Sequence, residues 1–399
     1  MHSSGSILLN LAGLIAIYVT VALIRASNAI FIVSLTLTLP QLEPEMHGLI
    51  LASYSIAEAL SGVIVGGFYE MIGSRALLSI AIIVLIASYI TMSYYLNPIH
   101  LILLNSLAGV CAAIILVSTL SILGEETRGR FKGRLIGSGG FEASNIGGYA
   151  LGFMIALILE LFDLLRGFII PALLVSLAFI VSIIIPNYRG YGSPIYVYDR
   201  RLLNLLPLWF SLASLIGVAF MSPKIISEVG IAVSFLNNTS LGGLISPLMI
   251  IGLISVAVGL LVGSYIASII GKYNALLLGS IFTPITLAIA GLYYEEILGR
   301  PIYIPLIAIL AVPIMLLPPS LLAYLIDYTD KFKARGSSMG FYVTILGLGI
   351  GFGEYIIGGY IFQNLGLGGV GLSLALMFTI LAIPTLYMIR LDEAKRISS

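Results

Sequence analysis

Three observations predict an all-α membrane protein with twelve transmembrane helices in two pseudo-symmetric six-helix bundles. Aliphatic, aromatic and cysteine residues make up 59% of the 399 residues against 9% charged, and mean hydropathy is +1.12. No water-soluble domain hides that much apolar surface. The apolar residues fall into twelve runs, each suited to a helix that needs about 20 residues to cross the hydrocarbon layer. Finally, a polar segment occurs twice. Glu126-Thr-Arg-Gly-Arg-Phe-Lys-Gly-Arg134 and Asp327-Tyr-Thr-Asp-Lys-Phe-Lys-Ala-Arg335 lie about 200 residues apart, and Gly139 and Gly340 each follow their arginine at the same offset.

The first six runs are residues 11–39, 47–68, 76–96, 99–123, 135–161 and 164–185. The second six are 202–229, 241–266, 273–294, 302–326, 336–362 and 365–389. They are continuous rather than alternating, which selects helices over barrel strands. The expected division is therefore 1–186 and 202–399, joined by a linker at 187–201 whose Gly, Pro and basic residues mark a polar connection. Glycines crowd the fifth and eleventh helices (Gly137, Gly139, Gly140, Gly147, Gly148 and Gly152; Gly347, Gly349, Gly351, Gly353, Gly358 and Gly359). Small residues let membrane helices approach closely. Pro313, Pro318 and Pro319 should kink or break the tenth helix. Lys224, beside Pro223, is expected to snorkel from the outer end of the seventh.

Counting from an inside N-terminus, fifteen Lys and Arg fall in connections on one side and only Arg166, Lys224 and Arg300 on the other. That asymmetry predicts cytoplasmic N- and C-termini and supports an even number of spans. No basic n-region with a cleavage site opens the chain, so no removable signal peptide is expected, and no soluble domain. The single cysteine, Cys111, leaves no intrachain disulfide, and the three histidines leave little for metal or imidazole chemistry. No cofactor, metal or nucleic acid is expected, and the chain is expected to be a monomer in the bilayer. Asn237-Asn-Thr-Ser240 holds overlapping glycosylation sequons in a predicted outer loop, a short motif that chance supplies readily.

Between the second and third helices stands Gly66-Gly-Phe-Tyr-Glu70-Met-Ile-Gly73-Ser-Arg75. It resembles the signature loop of the major facilitator superfamily, with Glu70 at the usual aspartate and Ser74 at a place that is usually basic. Its second-half counterpart keeps only Gly271 and Lys272. Asp327, Arg335, Gly336 and Gly340 also follow that family's pattern, and the resemblance spans essentially the whole chain. It implies two bundles around a cavity that opens alternately to each side. Gly66, Glu70, Gly73, Arg75, Asp327 and Arg335 would then gate or latch one state. Lys132, Arg134 and Lys333 read as topology and headgroup anchors.

A charge at mid-membrane costs about 3 kcal/mol or more, so it faces a partner or a wet cavity. Arg25, Glu58, Glu142 and Glu354 are such charges. Asn28 lies one turn from Arg25. Ser138, Glu142, Asn145 and Tyr149 share one face of the fifth helix, and Ser55 and Glu58 one face of the second. Arg25, Asn28, Asn145 and Tyr149 are the candidate substrate-binding residues, and Glu142, Glu58 and Glu354 the candidate proton carriers. Arg25 is expected to meet Glu142 or Glu58, and Glu58 to approach Glu354, which is placed nearer the outer interface. A fixed structural ion pair is the competing reading of Arg25. The expected activity is secondary active transport of a small organic solute, an anion if Arg25 binds it, coupled to protons. The alternatives are a proton-driven efflux antiporter or a lipid flippase on the same fold. Gly139-Gly-Phe-Glu-Ala-Ser-Asn-Ile-Gly-Gly148 is similar to the antiporters' fifth-helix motif, with Ser144 in place of its proline.

Overall fold

The computed structural model describes residues 3–126, 131–162, 164–165, 167–188, 199–229, 247–294, 297, 303–329 and 336–398. Helices α1 (Ser3–Thr38), α2 (Pro44–Ile72), α3 (Ser74–Met92), α4 (Pro98–Glu126), α5 (Phe131–Leu161) and α6 (Ile169–Ser182) form the first half. The second half holds α7 (Leu206–Phe220), the short α8 (Ser222–Val229), α9 (Pro247–Ile270), α10 (Lys272–Leu292), α11 (Tyr303–Ala311), α12 (Leu317–Thr329), α13 (Gly336–Phe352) and α14 (Phe362–Ser398). Together they make twelve apolar spans. The 3₁₀ turn Arg200–Leu205 with α7 forms the seventh, α11 with α12 the tenth, and the long run from α13 into α14 crosses twice.

The breaks follow from local chemistry. Gly73 joins α2 to α3 at φ 89°, and Gly366 interrupts α14 at φ 64°, both conformations that a side chain rarely adopts. Past Gly366 the chain returns. Gln363 Oε1 accepts from the Glu45 backbone N–H at the start of α2, whereas Asn204, just before α7, donates to Asp392 near the far end of α14. The tenth span tightens into a 3₁₀ segment, Val312–Leu316, between α11 and α12, because Pro313 and the Pro318-Pro319 pair withhold backbone donors. Between α13 and α14 the chain takes nine residues of π-helix, Gly353–Ile361.

The two halves meet in a related way on both sides. α2 packs on α13, and α5 packs on α9, pairing the second and fifth helices of one half with the fifth and second of the other. Glycine makes the first contact close: a β-carbon at Gly340 would stand 2.8 Å from the Gly62 carbonyl carbon, and one at Gly48 2.6 Å from the Glu354 oxygen. Within the first half, Gly148 and Gly152 bring α5 against Ala22 and Ala26 of α1. That contact carries the polar stripe of α5 to the middle of α1.

Candidate functional site

Arg25 lies at the centre of the first half, 1% exposed, and makes four hydrogen bonds to two neighbouring helices, α2 and α5. Its Nε donates to Asn145 Oδ1 at 2.8 Å, one terminal nitrogen to Tyr54 and Tyr149 hydroxyls at 3.2 and 3.0 Å, and the other to Glu58 Oε1 at 3.0 Å. The guanidinium also sits 5.3 Å from the Tyr149 ring centre, and Asn28 donates to the Tyr149 hydroxyl at 3.3 Å. Arginine's planar fork suits such a multi-partner site. Its carboxylate partner is Glu58, fully buried, and Glu142 is reached only through Asn145, whose amide donates to Glu142 Oε2 at 3.4 Å.

The chain of bonds then crosses to the second half. Tyr342 on α13 donates to Glu142 Oε1 at 2.9 Å, and Trp209 on α7 stands edge-on to the Tyr342 ring at 4.8 Å. Tyr149 meets Phe220 of α7 with ring centres 4.1 Å apart. Glu58, Arg25, Asn145, Glu142 and Tyr342 thus link α2, α1, α5 and α13 in one continuous path. Tyr54, Tyr342, Trp209 and Phe220 were not legible in advance, because an aromatic among apolar residues looks like core.

Glu354 departs from its expected setting near the interface. It is 2% exposed in the π-helical segment, which packs against α2. The reason is the close approach of α2 to that segment, where a β-carbon at Gly48 would stand 2.6 Å from the Glu354 backbone oxygen. Lys224 is a second correction. Rather than snorkelling it is 1% exposed, and its ammonium donates to the Pro40 carbonyl at 3.0 Å. The chain between α1 and α2 folds over α8 and supplies a carbonyl where water was expected.

The expected latch residues divide. Glu70 Oε1 accepts from the backbone N–H of Gly336 at 2.6 Å, a carboxylate at the start of α13, while Gly336, lacking a side chain, lets that helix end come close to the Gly66 carbonyl. Gly73 makes the turn, and Arg75 is exposed, with a long contact of 3.5 Å to the Ile183 carbonyl of its own half. Asp327 pairs with Lys272, also within one half. Arg335, most of the repeated polar segments, the sequons, residues 189–198 of the linker and the side chains of Lys132, Arg134 and Ser138 lie outside the described residues. Among the described residues no group of three or more His, Cys, Asp or Glu could hold a metal.

Glu70 at one end and Lys224 at the other each tie a charged side chain of one half to the backbone of the other. Glu70→Gln is therefore expected to open its end more often and Lys224→Met the opposite end, each by about 0.5–2 kcal/mol. Cysteines placed near each end on a Cys111→Ser background would report this as faster labelling by a water-soluble maleimide. Equal labelling at both ends in both variants would contradict it.

No family model matches the sequence, and no curated protein matches it. Solved structures do. The human organic anion transporter MFSD10 (TETRAN) superposes at a TM-score of 0.71 with 12% identity, covering 94% of this chain and 99% of that one. A mutant of the nucleoside transporter NupG superposes at 0.65 with 15% identity, covering 95% and 99%. The chain is an integral membrane protein with the major facilitator fold. Its architecture is the one that the loop around Glu70 and Gly73 led us to expect.

Proposed function

We propose that the chain is a secondary active transporter that moves a small organic anion by alternating access, coupled to protons. The observation that carries this reading is Arg25, buried at mid-span and tied by hydrogen bonds to a path that reaches the other half. The names of the two structural neighbours, an organic anion transporter and a nucleoside transporter, support the class. A membrane interior tolerates Arg25 because Glu58 pairs with it. An anionic solute that enters the site competes for the same guanidinium. Glu58 then loses its counter-charge in apolar surroundings and takes up a proton. Solute and proton travel together in this scheme. The charge asymmetry of the loops supports a cytoplasmic Glu70 end, and in this reading the chain works as a monomer.

Glu142 occupies the other position where a proton changes the geometry. Ionised, it accepts from both Tyr342 and Asn145; protonated, it has an O–H to donate and releases one of them. Its proton state thereby sets a contact between the halves. Glu142→Gln is expected to abolish pH-gradient-driven accumulation in vesicles while leaving solute exchange across them. Full gradient-driven accumulation by that variant would remove Glu142 from the coupling role.

A further inference from the structure

We propose that the solute is an aromatic carboxylate whose ring carries a hydrogen-bond acceptor, and that Trp209 of α7 seats that ring while Arg25 holds the carboxylate. The proposal names a substrate class for the site already described and rests on the transport reading.

Trp209 is 3% exposed, and its indole N–H is buried without a hydrogen-bond partner. A buried tryptophan ordinarily places its N–H on an acceptor, and a donor left orphaned is costly. Packing alone does not require one, because phenylalanine fills such a place with no polar atom. The indole lies beside the Arg25 path. Its ring stands edge-on to Tyr342 with 4.8 Å between centres, and Tyr342 bonds Glu142. Trp209 thus brings an unused donor to the wall of the site that the second half supplies.

The neighbouring residues describe the rest of the ligand. Tyr54, Tyr149, Phe220 and Tyr342 are all buried, Tyr149 meets Phe220 across the two halves, and the Arg25 guanidinium lies over the Tyr149 face. Trp209 and Phe220 stand about three helical turns apart on α7. That stretch of α7 therefore runs alongside the polar stripe of α5, touching the partner of Glu142 at one end and Tyr149 at the other. Aromatic edges and faces on both sides suit a flat ring, which they hold in offset or edge-on contact. Arg25 is the cation of this set, and what it now holds is the carboxylate of Glu58, through one oxygen. Its planar fork receives a solute carboxylate by the same chemistry, with one N–H still unused. A single cation, flat apolar walls and one spare donor together fit a monocarboxylate on an aromatic ring that bears an acceptor. A ring seated on Trp209 also presses on Tyr342, whose bond to Glu142 joins the halves, so the solute acts on that contact as it binds.

Trp209 is the only tryptophan of the chain, so the purified full chain in detergent reports on this subsite by its own fluorescence. Nicotinate, benzoate and cyclohexanecarboxylate would be titrated in turn, corrected against a free tryptophan amide in the same solutions, with melting temperatures recorded alongside. Wild type is expected to give a saturable fluorescence change, tightest for nicotinate, whose ring nitrogen accepts the indole N–H, then for benzoate, then for the saturated acid. One hydrogen bond sets the first step at about two- to tenfold. In Trp209→Phe, followed by melting, nicotinate should fall to the affinity of benzoate, while benzoate keeps its lead over cyclohexanecarboxylate. Equal binding of the three acids by wild type, no response to any of them, or an unchanged nicotinate preference in Trp209→Phe would overturn the subsite. Should that variant not fold, the wild-type order still decides. The two readings fail separately. Cyclohexanecarboxylate stabilising wild type as well as benzoate does, but not the Arg25→Met, Glu58→Leu double variant, would keep the anion reading and sink the aromatic one. The expected order of binding with no uptake of any acid into vesicles would keep the subsite and sink transport.

Discussion

Arg25→Met is expected to destabilise the protein by about 3–5 kcal/mol, because it strands the fully buried Glu58 without its partner. Adding Glu58→Leu is expected to return most of that loss, since a buried ion pair replaced by apolar groups of similar size is often neutral. Thermal melts of the two single variants and the double variant measure this directly. The double variant is the informative protein. A purely structural pair would leave it folded and fully active. The anion-site account predicts a folded protein that no longer binds or moves an anionic solute, since nothing remains to receive the charge. Asn145 and Tyr149 would persist as polar groups without a cation to hold, which neutral solutes could still use.

The second large effect is expected at Gly340. A β-carbon there would stand 2.8 Å from the Gly62 carbonyl carbon and 3.1 Å from the Val63 Cα, both backbone atoms that cannot swing aside. Gly340→Leu therefore blocks the closed contact of α2 with α13 at the Glu70 end, and the halves relieve the clash by parting there. Overpacking costs about 1–3 kcal/mol where the surroundings cannot yield. Even the lower half of that range, about 1.4 kcal/mol, changes the population of the open end by about tenfold. A cysteine at Thr344, which now donates to the Ala59 carbonyl across the same contact, should be labelled about tenfold faster in Gly340→Leu than in its parent. Transport should be lost. Unchanged labelling would show that the halves do not separate along this seam.

How much of this was legible in the sequence depends on what each residue needs. Arg25, Glu58 and Glu142 stood out because charge inside an apolar run is expensive, and the structure buries all three. Asn145 and Tyr149 followed from helical spacing on α5, and both bond Arg25. The choice of Glu58 over Glu142 as the arginine's partner was open, because it depends on the rotation of α2 and α5 about their axes. That rotation is set by glycine contacts such as Gly148 on Ala22, which spacing alone does not reveal. Tyr342 was hidden for a different reason. One tyrosine among 22 carries no mark that it will cross to a carboxylate in the other half. Lys224 and Glu354 were misplaced toward water because position along a helix says nothing about a neighbouring segment folding over it. The signature loop gave the fold, and Glu70 on Gly336 shows the contact such a loop can make.

The account turns on an anion displacing Glu58 from Arg25, and one screen tests it most directly. Melting temperatures of purified protein would be recorded against anionic, cationic and neutral solutes at acidic and neutral pH, with a folded Arg25 variant alongside. The account predicts that an organic anion stabilises wild type, more so at acidic pH where a proton accompanies it, and that the Arg25 variant loses the effect. Stabilisation only by lipophilic cations or neutral compounds, equal in the Arg25 variant, would contradict it and leave Arg25–Glu58 as a structural pair.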